Sequence, residues 1–102
     1  MLFYGMTEEE YFELEETKGW EHYAEDGEVA FMRAWEVPAG VAEVAITAET
    51  GGYDEEPQGS WEVFVTVNGA VSAGHHFLAD SVLEAVYAVE DIIKELGGNI
   101  ED

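Results

Sequence analysis

The sequence predicts an α+β domain: an N-terminal helix, an antiparallel β-meander of three to five strands, and a C-terminal helix packed on one sheet face. Three observations predict it. Capping boxes, Thr7 with Glu10 and Ser81 with Glu84, each open a segment with apolar residues at helical spacing. Between those segments apolar and polar residues alternate at a period of two. Two dipeptides, Asp26-Gly27 and Asn68-Gly69, carry the chemistry of two-residue hairpin turns. The 102 residues form a single domain, 1–102, with 97–102 expected as a frayed tail.

The first helix starts at Thr7, whose hydroxyl can cap it. Glu8, Glu9 and Glu10 in its first turn suit the helix dipole. At 100° per residue Tyr11 and Leu14 share the inner face, Phe12 lies at the boundary, and Glu9, Glu13 and Glu16 line the outer face with Glu10 beside them. Gly19 ends the helix. Trp20–Glu25 and Glu28–Val37 then flank the first hairpin turn. On the second of these strands Val29, Phe31, Arg33 and Trp35 share a face. Arg33 in that apolar row calls for a carboxylate partner and an aromatic to stack on.

Pro38-Ala39-Gly40 reads as a turn. From Val41 to Glu49 the inward set is Ala42, Val44, Ile46 and Ala48. A long polar loop, Thr50–Ser60, adds Asp54, Glu55 and Glu56 to the acidic surface. Trp61, Val63, Val65 and Val67 make the next inward face, opposite Glu62, Phe64 and Thr66. A weaker return strand spans Ala70–Phe77. In the last helix Val82, Val86, Val89, Ile93 and Leu96 form the stripe, widened by Leu83, Tyr87 and Ile92, and Gly97-Gly98 stops it. Trp20, Trp35 and Trp61 fall on inward faces and belong to the core. Tyr53 and Phe64 fall outside it and are candidate aromatic anchors for a partner.

The helix–sheet–helix order, and the run from Trp61 to Leu96 in particular, is similar in layout to a double-stranded-RNA-binding domain. That family needs basic residues at the start of its last helix. Leu78-Ala79-Asp80-Ser81-Val82 has none, so the likeness implies topology and not RNA binding.

Charge decides which functions are open. Twenty-four acids face three bases, Lys18, Arg33 and Lys94, for a net charge of −21. Size scaling gives a surface of about 5,700 Å², or one net charge per ~270 Å². Duplex DNA, taken as a rod, carries roughly one per ~110 Å². If half of this surface holds the acids, the two densities agree within a factor of about two. Such a surface repels nucleic acid and favours a strongly basic partner.

Other chemistries find little support. The chain has no cysteine, so disulfides and thiolate metal sites are excluded. His75 and His76 are adjacent on a strand and point to opposite faces, which disfavours a shared metal. Asp54, Glu55 and Glu56 lack the spacing of a calcium loop. No P-loop, nucleophile elbow or dinucleotide fingerprint occurs. The expectation is a non-enzymatic protein with no catalytic residue, no metal and no cofactor. No apolar run approaches the length of a membrane span, and the start lacks the pattern of a signal peptide, so the expected location is the host cytoplasm.

The expected binding array is Glu9, Glu10, Glu13, Glu16, Glu21, Glu25, Glu28, Asp54, Glu55 and Glu56, continued across the strands by Glu43, Glu49 and Glu62. Carboxylates ~5–6 Å apart on a helix match the spacing of phosphates along a strand. In small size, lack of cysteine, Glu excess and mixed α+β make-up, the chain resembles the acidic DNA-mimic inhibitors of phages and mobile elements, anti-CRISPR and anti-restriction proteins. That resemblance implies a basic nucleic-acid-binding partner, a CRISPR effector or a restriction enzyme. It implies no direct contact with nucleic acid or membrane, and a monomer or homodimer, for which the edge strand Trp20–Glu25 is one pairing site. The competing reading is a halophile-adapted small cytoplasmic protein with an acidic solvated surface and a protein-binding role. Glu outnumbers Asp 19 to 5, which weakens that reading, since salt-adapted proteins lean on Asp as well.

Overall fold

Alternation in the middle of the chain builds one five-stranded antiparallel sheet in simple meander order, β1-β2-β3-β4-β5. The strands are β1 (Glu21–Glu25), β2 (Glu28–Val37), β3 (Gly40–Glu49), β4 (Trp61–Val67) and β5 (Ala70–Ala79). A computed structural model describes residues 4–25, 27–49 and 59–100, with the side chains of 71–74 left undescribed. Asp26, the Thr50–Gln58 part of the loop, and therefore Tyr53, Asp54, Glu55 and Glu56 lie outside the described residues.

Register places the apolar residues on one face. Phe31 pairs Ile46, Ile46 pairs Val63, and Val63 pairs Phe77, so one core row crosses four strands. Phe31, Ile46 and Val63 are fully buried. The C-terminal helix, α2 (Val82–Glu95), covers this face with Val82, Ala85, Val86, Val89 and Ile93, all fully buried. The N-terminal helix, α1 (Glu8–Phe12), packs on the same side through Tyr11 and Leu14. Trp20, Trp35 and Trp61 are buried, as expected.

Turn chemistry works at both tight hairpins. Glu25 pairs Glu28 across the first, with Gly27 at φ 88°. Asn68 and Gly69 both have positive φ, 53° and 79°, which Asn and Gly tolerate best. Asn68 has a second task. Its Oδ1 accepts from Val41 N (3.0 Å) and its Nδ2 donates to Ala39 O (2.7 Å), which ties the β4–β5 turn to the Pro38–Ala39 turn. A Cβ on Gly40 would run into that Asn68 side chain.

Several boundaries differ from the sequence reading. α1 is one short helix that widens into a π-helical turn over Glu13–Thr17, where Lys18 N bonds Glu13 O at 2.9 Å. The extra residue lets Leu14 and then Trp20 both turn inward, to 1% and 2% exposure. β5 runs two residues further than Phe77, to Ala79. Ser81 caps α2, but the return bond to Glu84 comes from Asp80 N and not from Ser81 N. α2 ends in a Schellman motif: Gly98 N bonds Ile93 O and Gly97 N bonds Lys94 O, with Gly97 at φ 86°. Ile100, expected to fray, packs against the core. Tyr87, expected in the apolar stripe, is 58% exposed.

Met6 and Tyr4, before the first helix, are also buried. No helix among the described residues is long and apolar enough to cross a membrane.

Candidate functional site: an uncovered acidic sheet face

The helices cover one face of the sheet, and no described element packs on the other. Strand alternation puts Glu21, Tyr23 and Glu25 of β1 on this open face, with Glu28, Ala30, Met32, Ala34 and Glu36 of β2. β3 contributes Val41, Glu43, Ala45, Thr47 and Glu49, and β4 contributes Glu62, Phe64 and Thr66. Strand alternation gives this face no Lys or Arg of its own among the described strand residues, although Lys18 and Arg33 line the depression at its edge.

Its most unusual feature is a row of like charges. Glu25 pairs Glu28, and Glu28 pairs Glu49, so three exposed carboxylates stand opposite one another across β1, β2 and β3. Residues directly opposite on antiparallel strands have Cβ atoms ~4.5–5.5 Å apart, and like charges there oppose folding. Towards the other end Glu21 and Glu43, together with Lys18 and Arg33, surround an apolar floor of Met32, Ala45 and Phe64. A shallow depression of about 540 Å³ opens over that floor.

The expected array divides in two. Glu9, Glu13 and Glu16 are exposed on the helix-covered side, with Glu10 half-buried and engaged in its capping box, Thr7 N donating to Glu10 Oε1 at 2.9 Å. Glu21, Glu25 and Glu28 project from the open face. The single row expected across helix and strands is therefore two patches with the sheet between them. The π-helical turn also shifts the step between Glu13 and Glu16 from the one assumed for an α-helix. Phe64 is not a free anchor: the His76 ring stacks on it at 4.5 Å, and Phe64 is half-buried. Tyr23, 50% exposed, is the open aromatic on this face, and its hydroxyl donates to Glu21 Oε2 (2.8 Å), which raises its pKa.

Two of the three bases are partly covered. Lys18 Nζ donates to Glu90 Oε2 at 2.9 Å, both side chains mostly covered. Arg33 lies over the Trp35 ring, 4.3 Å from its centroid. Burial lowers the Arg33 pKa and the nearby Glu90 opposes that shift. The expected aromatic stack and carboxylate neighbour are thus both present. Trp20 and Trp35 meet edge to face at 5.6 Å, and each buries its indole N–H with no hydrogen-bond partner among the described residues.

The histidines separate. His76 lies on the open face with Nε2 3.5 Å from Glu62 Oε2, while His75 pairs Val65 on the other face. His22 is the residue that sequence reasoning passed over. Its Nδ1 is 2.8 Å from Tyr11 Oη and its Nε2 is 3.0 Å from Tyr4 Oη, and its ring stacks on Phe31 at 4.8 Å. It sits on the inward face of β1, a position the 3.6 and 2.0 periodicities of its flanks do give. Burial lowers its pKa, and Glu15, 3.9 Å away, works in the opposite direction. Burial and Glu15 raise the Tyr11 pKa. This Tyr–His–Tyr bridge fastens the N-terminal segment and α1 to β1.

No group of three or more His, Asp or Glu side chains with metal-holding geometry occurs among the described residues. No protein-family model, curated protein or solved structure matches the chain.

Proposed function

We propose that this protein is a non-enzymatic inhibitor of the DNA-mimic type, an anti-CRISPR in the first instance. Its acidic surface takes the place of nucleic acid in the groove of a basic defence complex. The observation that carries the reading is the in-register row Glu25, Glu28 and Glu49 on an uncovered sheet face. A chain selected only to fold would separate those charges, because each opposed pair works against the sheet. Their spacing across strands, ~4.5–5.5 Å, suits a partner whose Lys and Arg are already placed for phosphates. Lys18 is paired with Glu90 and Arg33 lies over Trp35, so neither base neutralises the carboxylate row.

Binding of this kind releases counterions from both surfaces and weakens steeply with salt. The test is competition. The protein is added to CRISPR effectors and restriction enzymes, and target-DNA binding is measured from low to physiological salt. Displacement at low salt that fades as NaCl rises is expected. A failure to displace DNA from any of these enzymes at low salt would overturn the reading. Folding in dilute buffer separates it from halophile adaptation, which requires molar salt for a folded domain.

A further inference from the structure

The acids are not spread along the chain. From Val63 to Ala79 there is no Asp, Glu, Lys or Arg. That stretch is β4 and β5, and β5 is an outer strand of the sheet. Natural edge strands are guarded against pairing by charges, proline, shortness or bulges. β1, the other edge, is guarded: it has five residues, and Glu21 and Glu25 are exposed on it. β5 carries one irregularity, between the Val65 and Val67 pairings, which lies before His75. His75–Ala79 continues as a regular ladder against Trp61–Val65 and has no strand on its outer side among the described residues. Leu78 on this segment is 63% exposed. Glu62, the one carboxylate of β4, already faces His76 Nε2 at 3.5 Å.

We infer that His75–Ala79 is a self-association edge, pairing antiparallel with the same segment of a second copy about a twofold axis at Phe77. Full overlap of the five residues fixes that axis. It sets Leu78 beside His76 of the other copy on the open face and joins the two sheets into one. The occupant is a second copy because the segment is the place where two chains of −21 meet without opposing carboxylates. Any basic partner would instead be drawn to the carboxylates of β1, β2 and β3. An isologous contact of this kind closes on itself and does not propagate. The inference does not depend on the nucleic-acid reading, and its salt dependence has the opposite sign. Salt screens the repulsion between the two anionic bodies, so association tightens as NaCl rises.

Sedimentation equilibrium across salt tests it. A monomer–dimer equilibrium that tightens by about tenfold or more between 0.05 and 0.5 M NaCl is expected, since the Debye length falls several-fold over that range. The double substitution His75→Glu and Leu78→Glu, at two exposed positions, leaves circular dichroism unchanged and removes the dimer. The chain lacks cysteine, so a second measurement is clean. His76→Cys mixed with Leu78→Cys gives a mixed disulfide in higher yield than either alone, while Tyr23→Cys on β1 gives none. A monomer at all salts up to several hundred micromolar overturns the inference. So does a dimer that survives the double substitution or cross-links through Tyr23→Cys.

Discussion

The two edges of this sheet are built on opposite electrostatic terms. At one, Glu25, Glu28 and Glu49 stand opposite one another across three strands, and Glu21 and Tyr23 extend the edge. At the other, β4 and β5 hold a charge-free run from Val63 to Ala79, and Glu62 just before it has a histidine beside it. Both edges rest on the same core, since Phe31, Ile46 and Val63 form one row beneath them. Packing therefore does not dictate the difference. Acidity that served solubility alone would have no reason to gather at three opposed positions and vacate the long edge strand. The contrast teaches that the charge is located, and that location carries more information than the sum of −21.

The sharpest way to break the comparison is to invert it. Glu25→Lys, Glu28→Lys and Glu49→Lys together should reduce competition with DNA for a sensitive effector by on the order of 100-fold. That loss corresponds to ~2.7 kcal/mol shared among the three positions. Glu9→Lys, Glu13→Lys and Glu16→Lys, on the helix side, should cost much less. Equal losses from the two triples, read by DNA-displacement titration, would mean that total charge alone matters.

Next in size is the tie at the far end of the sheet. Asn68→Ala removes two hydrogen bonds and places a less tolerant residue at φ 53°. It should destabilise the fold by about 1–3 kcal/mol in urea unfolding. Amide exchange should accelerate at Val41 and in the β4–β5 turn before it does at Glu28.

A smaller effect has the opposite sign. Glu28→Gln removes the central charge of the row and should raise stability by roughly 0.2–1 kcal/mol while weakening partner binding. A destabilised Glu28→Gln protein would show that the row is compensated by something beyond the described residues.

The smallest effect is pH-linked and lies on the inward face of β1. Burial holds the folded His22 pKa below its ordinary value of 6.5. The unfolded chain therefore binds more protons in the window just below 6.5, and stability from this group falls as pH drops through it. The facing groups are Glu15, Tyr4, Tyr11 and Phe31. His22→Gln should flatten the difference in unfolding free energy between pH 7.5 and pH 5.5, measured against the parent protein. Carboxylate protonation shifts both proteins alike and cancels in that comparison.

Most of the fold was legible because burial follows period. Ala42, Val44, Ile46 and Ala48 alternate, and Val82, Val86, Val89 and Ile93 recur at helical spacing, so their faces could be read directly. The faces of Glu21, Glu25 and Glu28 were legible in the same way, from the hairpin at Asp26-Gly27. What stayed hidden depends on contacts between distant residues. No periodicity in the first six residues announces that Tyr4 and Met6 are buried. His22 gains its role only when Tyr4 and Tyr11 arrive on either side of it. The break between the helix carboxylates and the strand carboxylates also needed the tertiary arrangement, because their order along the chain is continuous while the sheet lies between them. The π-helical turn after Phe12 has no composition signal; it follows from burying both Leu14 and Trp20.

The bond between Lys18 and Glu90 spans 72 positions of the chain. A five-residue helix is far too short to hold itself together in water. α1 therefore acquires its shape by docking, and part of the surface it docks on is α2, which follows every strand of the sheet in the chain. On the ribosome the meander can form first, since each strand needs only its neighbour. The N-terminal carboxylates would then remain loosely ordered until Glu90 has been made and released. Whatever the helix patch contributes to recognition, it becomes available only once α2 has formed, whereas the sheet row can be in place before that.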